Sequence, residues 1–378
     1  MGDERTGSGE ATPAPAGRLH GIDFWRGFIL CTIFVNHVPG TRFERLTFKN
    51  FGLSDSSEAF VFIAGVSLAL AYGRKVFAGE RATVAASLAR RAVKLYGTHV
   101  GLSLAGAAIF AAGAMATGNA DLMQEQGRDL VVDDPVGALV GLASLGHQFG
   151  YFNILPMYVV LMGFAPAMLF VGRSHPALML AGSSGLYALS RLLPLNVPTW
   201  PMSGTWFFDP FAWQLLVAVG VAIGFRLRRG GLIVGRLPLA AAGLVVGSAA
   251  FCTTDGLGTW PGLDETVRAL ADTDKTMLGL GRVVHALSLA LCVYGLGLAK
   301  IVQATLVYKP ILLIGQHGLA MFGLTSILSA VGQVVTESYG HAPLVDVTII
   351  GGGLALMLGA AQALNRKPAE MPLAVAAR

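Results

Sequence analysis

Apolar stretches long enough to cross a bilayer recur along the whole chain, and this repetition restricts the fold more than any single motif. A hydrocarbon core of roughly 30 Å takes about 20 mostly apolar helical residues to span. Such stretches fall at approximately 22–39, 57–73, 96–117, 152–171, 176–193, 211–226, 237–252, 277–299, 311–331 and 344–364. In lipid every backbone N–H and C=O needs an internal partner, so stretches of this kind become α-helices. The expected fold class is all-α, a polytopic integral membrane protein of about ten transmembrane helices. Only 13% of the 378 residues are charged, about half the share usual in soluble domains, which excludes a sizeable soluble catalytic domain. Residues 1–20 and 367–378 read as cytoplasmic tails around a transmembrane domain over 21–366. No small-residue cleavage site follows the first stretch, so no cleaved signal is expected.

Basic residues divide unevenly between the two sides that alternating spans create. One side takes Arg5, Arg18, Arg74, Lys75, Arg81, Arg90, Arg91, Lys94, Arg173, Arg226, Arg228, Arg229, Arg236, Lys300, Lys309, Arg366, Lys367 and Arg378. The other takes Arg42, Arg45, Lys49, Arg128, Arg191, Arg268 and Lys275, while Arg26 and Arg282 fall within spans. Short loops rich in Lys and Arg stay cytoplasmic. Both termini are therefore expected inside, with an even number of spans and acidic outer loops around 119–134 and 253–274. The sequence lacks the alternating ten-residue strands of an outer-membrane barrel, and a bacterial inner membrane is the expected location. The net charge of +5 follows from this positional bias and does not imply nucleic acid as a partner. Cys31, Cys252 and Cys292 sit singly in apolar stretches at no metal-ligand spacing, so neither a disulfide nor a bound metal is expected.

Ionisable groups inside a span cost several kcal/mol unless paired or hydrated, which marks each as a functional candidate. In the first span Arg26 and His37 are eleven positions apart, so they share a helix face to within about 20° and lie roughly 16 Å apart along the axis. That face reaches from the cytoplasmic end to the outer end. Arg26 also has Asp23 as an i−3 partner, and His37 precedes a helix-ending Pro39, so a purely interfacial role for both stays open. Asp55 and Glu58 open the second span at the level of His37; capping of the helix competes with contact to the imidazole. Arg90, Arg91 and Lys94 form a basic cluster before the third span, where a phosphorylated ligand or anionic lipid are the alternatives. Further cavity candidates are Asp23, Asn153, Arg282 and His285 at i, i+3, and Gln316 with His317; each can instead join helices by a hydrogen bond. No internal repeat and no matched pair of broken helices of the transporter kind stands out.

In this order the motifs resemble the OpgC family of membrane proteins, associated with succinyl transfer to osmoregulated periplasmic glucans. The resemblance runs through Asp23-Phe24-Trp25-Arg26-Gly27 with Asn36-His37, Asp55 to Gly65, Phe152 to Tyr158, Phe208 to Leu215, Arg282-Val283-Val284-His285 and Ile314 to Leu319. The spacing of Arg26 and His37, and the run Arg90 to Tyr96, are also similar to motifs of the broader acyltransferase-3 group. Gly97 and Gln316 depart from it, standing where that group carries a proline and a basic residue.

The resemblance implies an O-acyltransferase with acyl-CoA, succinyl-CoA in particular, as a cytoplasmic co-substrate and no tightly bound cofactor. It implies membrane lipid and a periplasmic glycan acceptor as the other partners. Arg26, Arg90, Arg91 and Lys94 are then donor contacts, and His37 is the general base, oriented by Glu58 or Asp55. Asn36 is a candidate oxyanion donor. Direct transfer and an acyl-histidine intermediate both fit. A transporter or exporter of a glycan or small anion is the competing reading.

Overall fold

The computed structural model describes residues 20–253, 266 and 269–366. The expected tails, apart from His20, and most of the loop over 253–274, including Arg268, lie outside the described residues. The helices are α1 (His20–Asn36), α2 (Ser56–Phe77), α3 (Arg81–Thr117), α4 (Leu130–Asp133), α5 (Pro135–Ala143), α6 (Ile154–Gly172) and α7 (Pro176–Leu192). They continue with α8 (Pro210–Arg228), α9 (Leu237–Thr253), α10 (Leu280–Gly295), α11 (Leu298–Gln303), α12 (Tyr308–Gln316), α13 (Gly318–Tyr339) and α14 (Pro343–Asn365). No strand occurs among the described residues beyond an isolated bridge of Pro198 with Thr205.

Every apolar stretch read from the sequence coincides with helix. Among the described residues six helices, α2, α3, α6, α8, α13 and α14, are long and apolar enough to cross a membrane, and α9 and α10 are shorter apolar helices. The chain is thus an all-helical, multi-pass membrane protein. The stretch over 277–299 is interrupted between Gly295 and Leu298, and two others differ in detail. The helix over 96–117 begins at Arg81, because the Ala, Arg, Leu and Lys residues ahead of the apolar stretch are strong helix formers. Its 37 residues extend about 55 Å, well beyond the hydrocarbon thickness. The stretch over 311–331 is broken at His317, which ends α12 and precedes α13 with non-helical backbone.

Helix ends carry their own signals. Asp55 caps α2 in a reciprocal box with Glu58, and Asp209 caps α8 ahead of Pro210 at the first helical position. Pro also begins α5, α7 and α14. Packing between helices rests on small residues, since burial of apolar surface drives no association in lipid. Gly65, Gly220 and Gly224 bring α2 against α8, the most extensive helix pair. Gly27 and Gly315 do the same for α1 and α12: a Cβ on Gly27 would stand 2.0 Å from the Ile311 carbonyl oxygen, and one on Gly315 only 1.7 Å from that of Asp23. Both obstacles are backbone, which cannot rotate away.

Gly315→Ala is therefore expected to destabilise the protein by about 2 kcal/mol or more through overpacking. A lowered thermal midpoint in detergent, measured by fluorescence-detected size exclusion, is the check; an unchanged midpoint would mean that α1 and α12 are not in backbone contact.

Candidate functional site

The end of α1 is held by its neighbours. The His37 N–H still bonds the Ile33 carbonyl at 2.9 Å, so the helical phase continues one residue past Asn36. Its own carbonyl accepts from Gln333 Nε2 of α13 at 2.6 Å. The ring packs on Tyr151 with centroids 4.8 Å apart. Nδ1 is buried without a hydrogen-bond partner. Nε2 has no protein partner either, and it is the nitrogen left to face the space beyond.

That space is a cavity of about 380 Å³, lined by Ile33, Asn36, His37, Glu44, Lys49, Asp55, Tyr151, Asn153, Phe207, Phe208, Lys275 and Phe322, among others. The residues come from α1, the following loop, α2, the start of α6, the loop before α8, the segment before α10, and α13. Asn36 sits at its edge, with Oδ1 accepting from Thr47 Oγ1 at 2.6 Å and Nδ2 reaching Ser56 Oγ only at 3.4 Å. Lys49 pairs with Glu44, whose other oxygen accepts from the Gly40 N–H at 2.6 Å.

A buried ion cluster forms one wall. Asp55 Oδ1 accepts from the Ser57 N–H and hydroxyl, at 2.7 and 2.5 Å, and Oδ2 accepts from Lys275 Nζ at 2.5 Å and Arg282 Nη2 at 3.3 Å. Burial acts to raise the proton affinity of Asp55, but Lys275 and Arg282 outweigh it and hold the carboxyl below the ordinary range. Glu58 is fully buried. Its Oε2 accepts from the Asp55 N–H at 2.8 Å and its Oε1 from Arg282 Nε at 2.7 Å. Of the two carboxylates, Asp55 reaches the cavity and Glu58 is committed to the cap and to Arg282. Neither hydrogen-bonds the imidazole, although Lys275, Asp55 and Lys49 all act on it electrostatically.

Lys275 owes its position to the motif around Asp209. The Asp209 N–H donates to the Thr276 carbonyl at 3.1 Å, and Trp213 Nε1 donates to the carbonyls of Lys275 and Thr276 at 3.1 and 3.2 Å. Arg191 binds the Met277 carbonyl at 2.9 Å and Asp272 at 2.8 Å, and the Tyr187 hydroxyl binds the Leu278 carbonyl at 2.8 Å. The run Phe208 to Leu215 thus serves as a clamp on the segment that carries the lysine.

The remaining candidates separate into four groups. Asn153 lines the cavity at the start of α6. His285 turns away from the carboxylates that Arg282 holds: its Nδ1 shares a hydrogen bond with Ser54 Oγ at 2.7 Å, and its ring presses on Gly52. At the other end of α1, Arg26 is held by three helices, with Nη1 on Asp23 Oδ1 at 2.7 Å and the Gly315 carbonyl at 3.1 Å, and Nη2 on Ser67 Oγ at 2.7 Å. Gln316 and His317 lie beside it at the α12–α13 break, where a Cβ on Gly318 would stand 3.0 Å from Arg26 Cδ. Arg90, Arg91 and Lys94 are exposed along α3 and take no part in the cavity lining. Among the described residues no cluster of three or more His, Cys, Asp or Glu side chains could hold a metal, and the three cysteines are free.

Sequence reasoning missed Glu44, Lys49, Tyr151, Phe207, Phe208 and Lys275. The lysines entered only as loop charges. Lys275 lies 220 positions from Asp55, a pairing for which no periodicity exists to read.

A multi-pass helical membrane protein with a charged cavity at one end of its first helix is the class that fold and site define. Within that class the chain belongs to the OpgC protein family, whose family model matches residues 18–368. Family membership suggests a membrane glucan-modifying transferase. No curated protein and no solved structure gives a significant match.

The cluster sets a pH dependence. Because the folded-state pKa of Asp55 is depressed, its contribution is present above the unfolded value, roughly pH 4, and is lost as pH falls below it. Wild-type protein is expected to lose thermal stability below that pH, with the loss blunted in Asp55→Asn. Arg282→Ala leaves Glu58 and Asp55 short of a cation and should cost on the order of 3–5 kcal/mol. Melting curves of the three proteins between pH 3 and 7 test both statements.

Proposed function

We propose that this protein is a membrane O-acyltransferase, moving an acyl group, succinyl in particular, from acyl-CoA on one face of the membrane to a glycan hydroxyl on the other. The observation that carries the reading is the position of His37, whose imidazole lines a charged cavity at the opposite end of α1 from Arg26, in a chain of the OpgC family. The accompanying topology has about ten spans, both termini cytoplasmic and the cavity periplasmic, in a bacterial inner membrane, as the skew of basic residues favours.

In this mechanism Arg90, Arg91 and Lys94 hold the nucleotide end of the donor, as cations do for phosphates. Arg26 steadies the donor arm on its path through the helices. His37 Nε2 takes the proton of the acceptor hydroxyl, whose oxygen attacks the thioester carbonyl. The C–S bond then breaks, and the thiolate leaves with that proton. Asn36, whose Nδ2 makes only a long hydrogen bond, has a donor to offer the oxyanion. Asp55 and Lys275 set the field at the ring. An acyl-histidine formed first and then cleaved by the hydroxyl reaches the same products.

The break between α12 and α13 favours a second reading, an exporter of a glycan or small anion, since discontinuous helices line many transport sites. His37→Ala separates the two. Transfer of labelled acyl group from acyl-CoA to glycan by purified protein is expected to fall at least a thousandfold in the variant, with thermal stability retained. Glycan movement across proteoliposomes without covalent change, in wild type and variant alike, would replace the enzyme reading with the exporter.

A further inference from the structure

The cavity has a floor of aromatic rings, and one of them ends in a polar group without a use. Phe322 lines the cavity and stacks on Phe60, centroids 6.0 Å apart. Phe60 in turn meets Tyr158 edge-on at 5.6 Å. Tyr158 lies one helical turn along α6 from Ile154, itself a cavity residue, and so about 6 Å further from the cavity. The side chain is only 5% exposed, and its hydroxyl is buried with no hydrogen-bond partner. Ser67, which holds Arg26, and Arg91 lie on α2 and α3, two of the helices packed against α6. A phenol buried in a helical bundle normally finds an acceptor. Here the hydroxyl has none, and Phe60 separates its ring from Phe322 in the cavity lining.

Arg91 makes no hydrogen bond or ion pair among the described residues and is exposed on α3, the helix against which α6 packs. Arg26 is fixed by Asp23, Ser67 and the Gly315 carbonyl. Arg91 is therefore without a partner among the described residues, Arg26 is held in place, and the Tyr158 hydroxyl is a buried donor with no acceptor. This constellation suits a ligand with anionic oxygens at one end and a hydrogen-bond acceptor further along.

We propose that Tyr158 is a donor-binding residue. With Arg26 and Arg91 it forms a station behind the septum of Phe60, Tyr158 and Phe322, and its hydroxyl hydrogen-bonds an oxygen of the phosphorylated acyl donor travelling toward His37. The inference rests on the acyl-CoA reading above and adds to it both the residue and the barrier that the acyl arm must displace. The septum separates the two ends of the pathway until a donor parts the rings, which keeps the thioester from water in the cavity.

The test is equilibrium binding of coenzyme A to the purified full-length protein in nanodiscs of zwitterionic lipid, alongside thermal stability. Tyr158→Phe keeps the ring and removes a hydroxyl that has no partner in the free protein, so its melting temperature should stay level or rise. Affinity for coenzyme A should fall roughly tenfold, the effect of losing one hydrogen bond to a charged or strongly polarised acceptor. The losses in Arg91→Ala and Tyr158→Phe should be non-additive in the double variant, since both groups meet one ligand. Unchanged coenzyme A affinity in Tyr158→Phe, with wild type still binding and transferring, overturns this inference and leaves the transferase standing. A wild type that binds no coenzyme A overturns both. If the variant instead loses association with phosphatidylglycerol, added to the nanodiscs in a parallel series, the station belongs to a lipid headgroup and the inference fails.

Discussion

The ion cluster of Asp55, Glu58, Lys275 and Arg282 is the interaction on which the rest of the site depends. It sits at the start of α2, with Glu58 buried, Arg282 largely so and Lys275 partly exposed, and it joins α2 to α10 and to the segment before it. A charge buried alone costs several kcal/mol, so two acids and two bases persist there only as a set. The capping box adds a second obligation. The same two carboxylates that meet the cations also satisfy the first backbone N–H groups of α2. Rotating α2, or sliding α10 along it, would break electrostatic and capping contacts together, and the cavity wall that Asp55 and Lys275 form is rigid for that reason.

Around this anchor the bundle is drawn tight by absence of side chain. Gly65, Gly220 and Gly224 let α2 and α8 touch, and Gly27 and Gly315 bring α1 against α12. The close approach of α1 and α12 has a chemical result. It delivers the Gly315 carbonyl to Arg26, so that a guanidinium can stay within a helix bundle with three acceptors supplied by three helices. The chain leaves helical geometry at His317, two residues beyond the carbonyl that Arg26 binds. At the opposite end of α1 the imidazole of His37 is held by its backbone and by Tyr151 rather than by a carboxylate. The expected orienting acid is instead engaged with lysine and arginine, and it reaches the ring only through its field.

The cavity has mixed charge, aromatic walls and an imidazole. Phe322 of its lining is backed by Phe60 and then by Tyr158, whose buried hydroxyl has no partner. On the proposed reading the acceptor meets His37 from the cavity and the donor approaches from behind these rings.

Some of this was legible in the chain alone. Apolar stretches of bilayer length dictate helices, because lipid offers the backbone no other partner, and all ten coincide with helix. The 3.6-residue period placed Arg26 and His37 at two ends of one face, and the Asp55 to Glu58 spacing announced a capped helix. Local rules suffice for such features, since their partners lie within a turn or two. Tertiary structure alone decided which carboxylate meets the cavity, that Lys275 and Lys49 enter it, that His285 serves Ser54, and that Tyr158 is left without a partner. Each depends on residues brought together across tens to hundreds of positions by the way helices pack, and that packing is a property of the assembled bundle which no segment carries by itself.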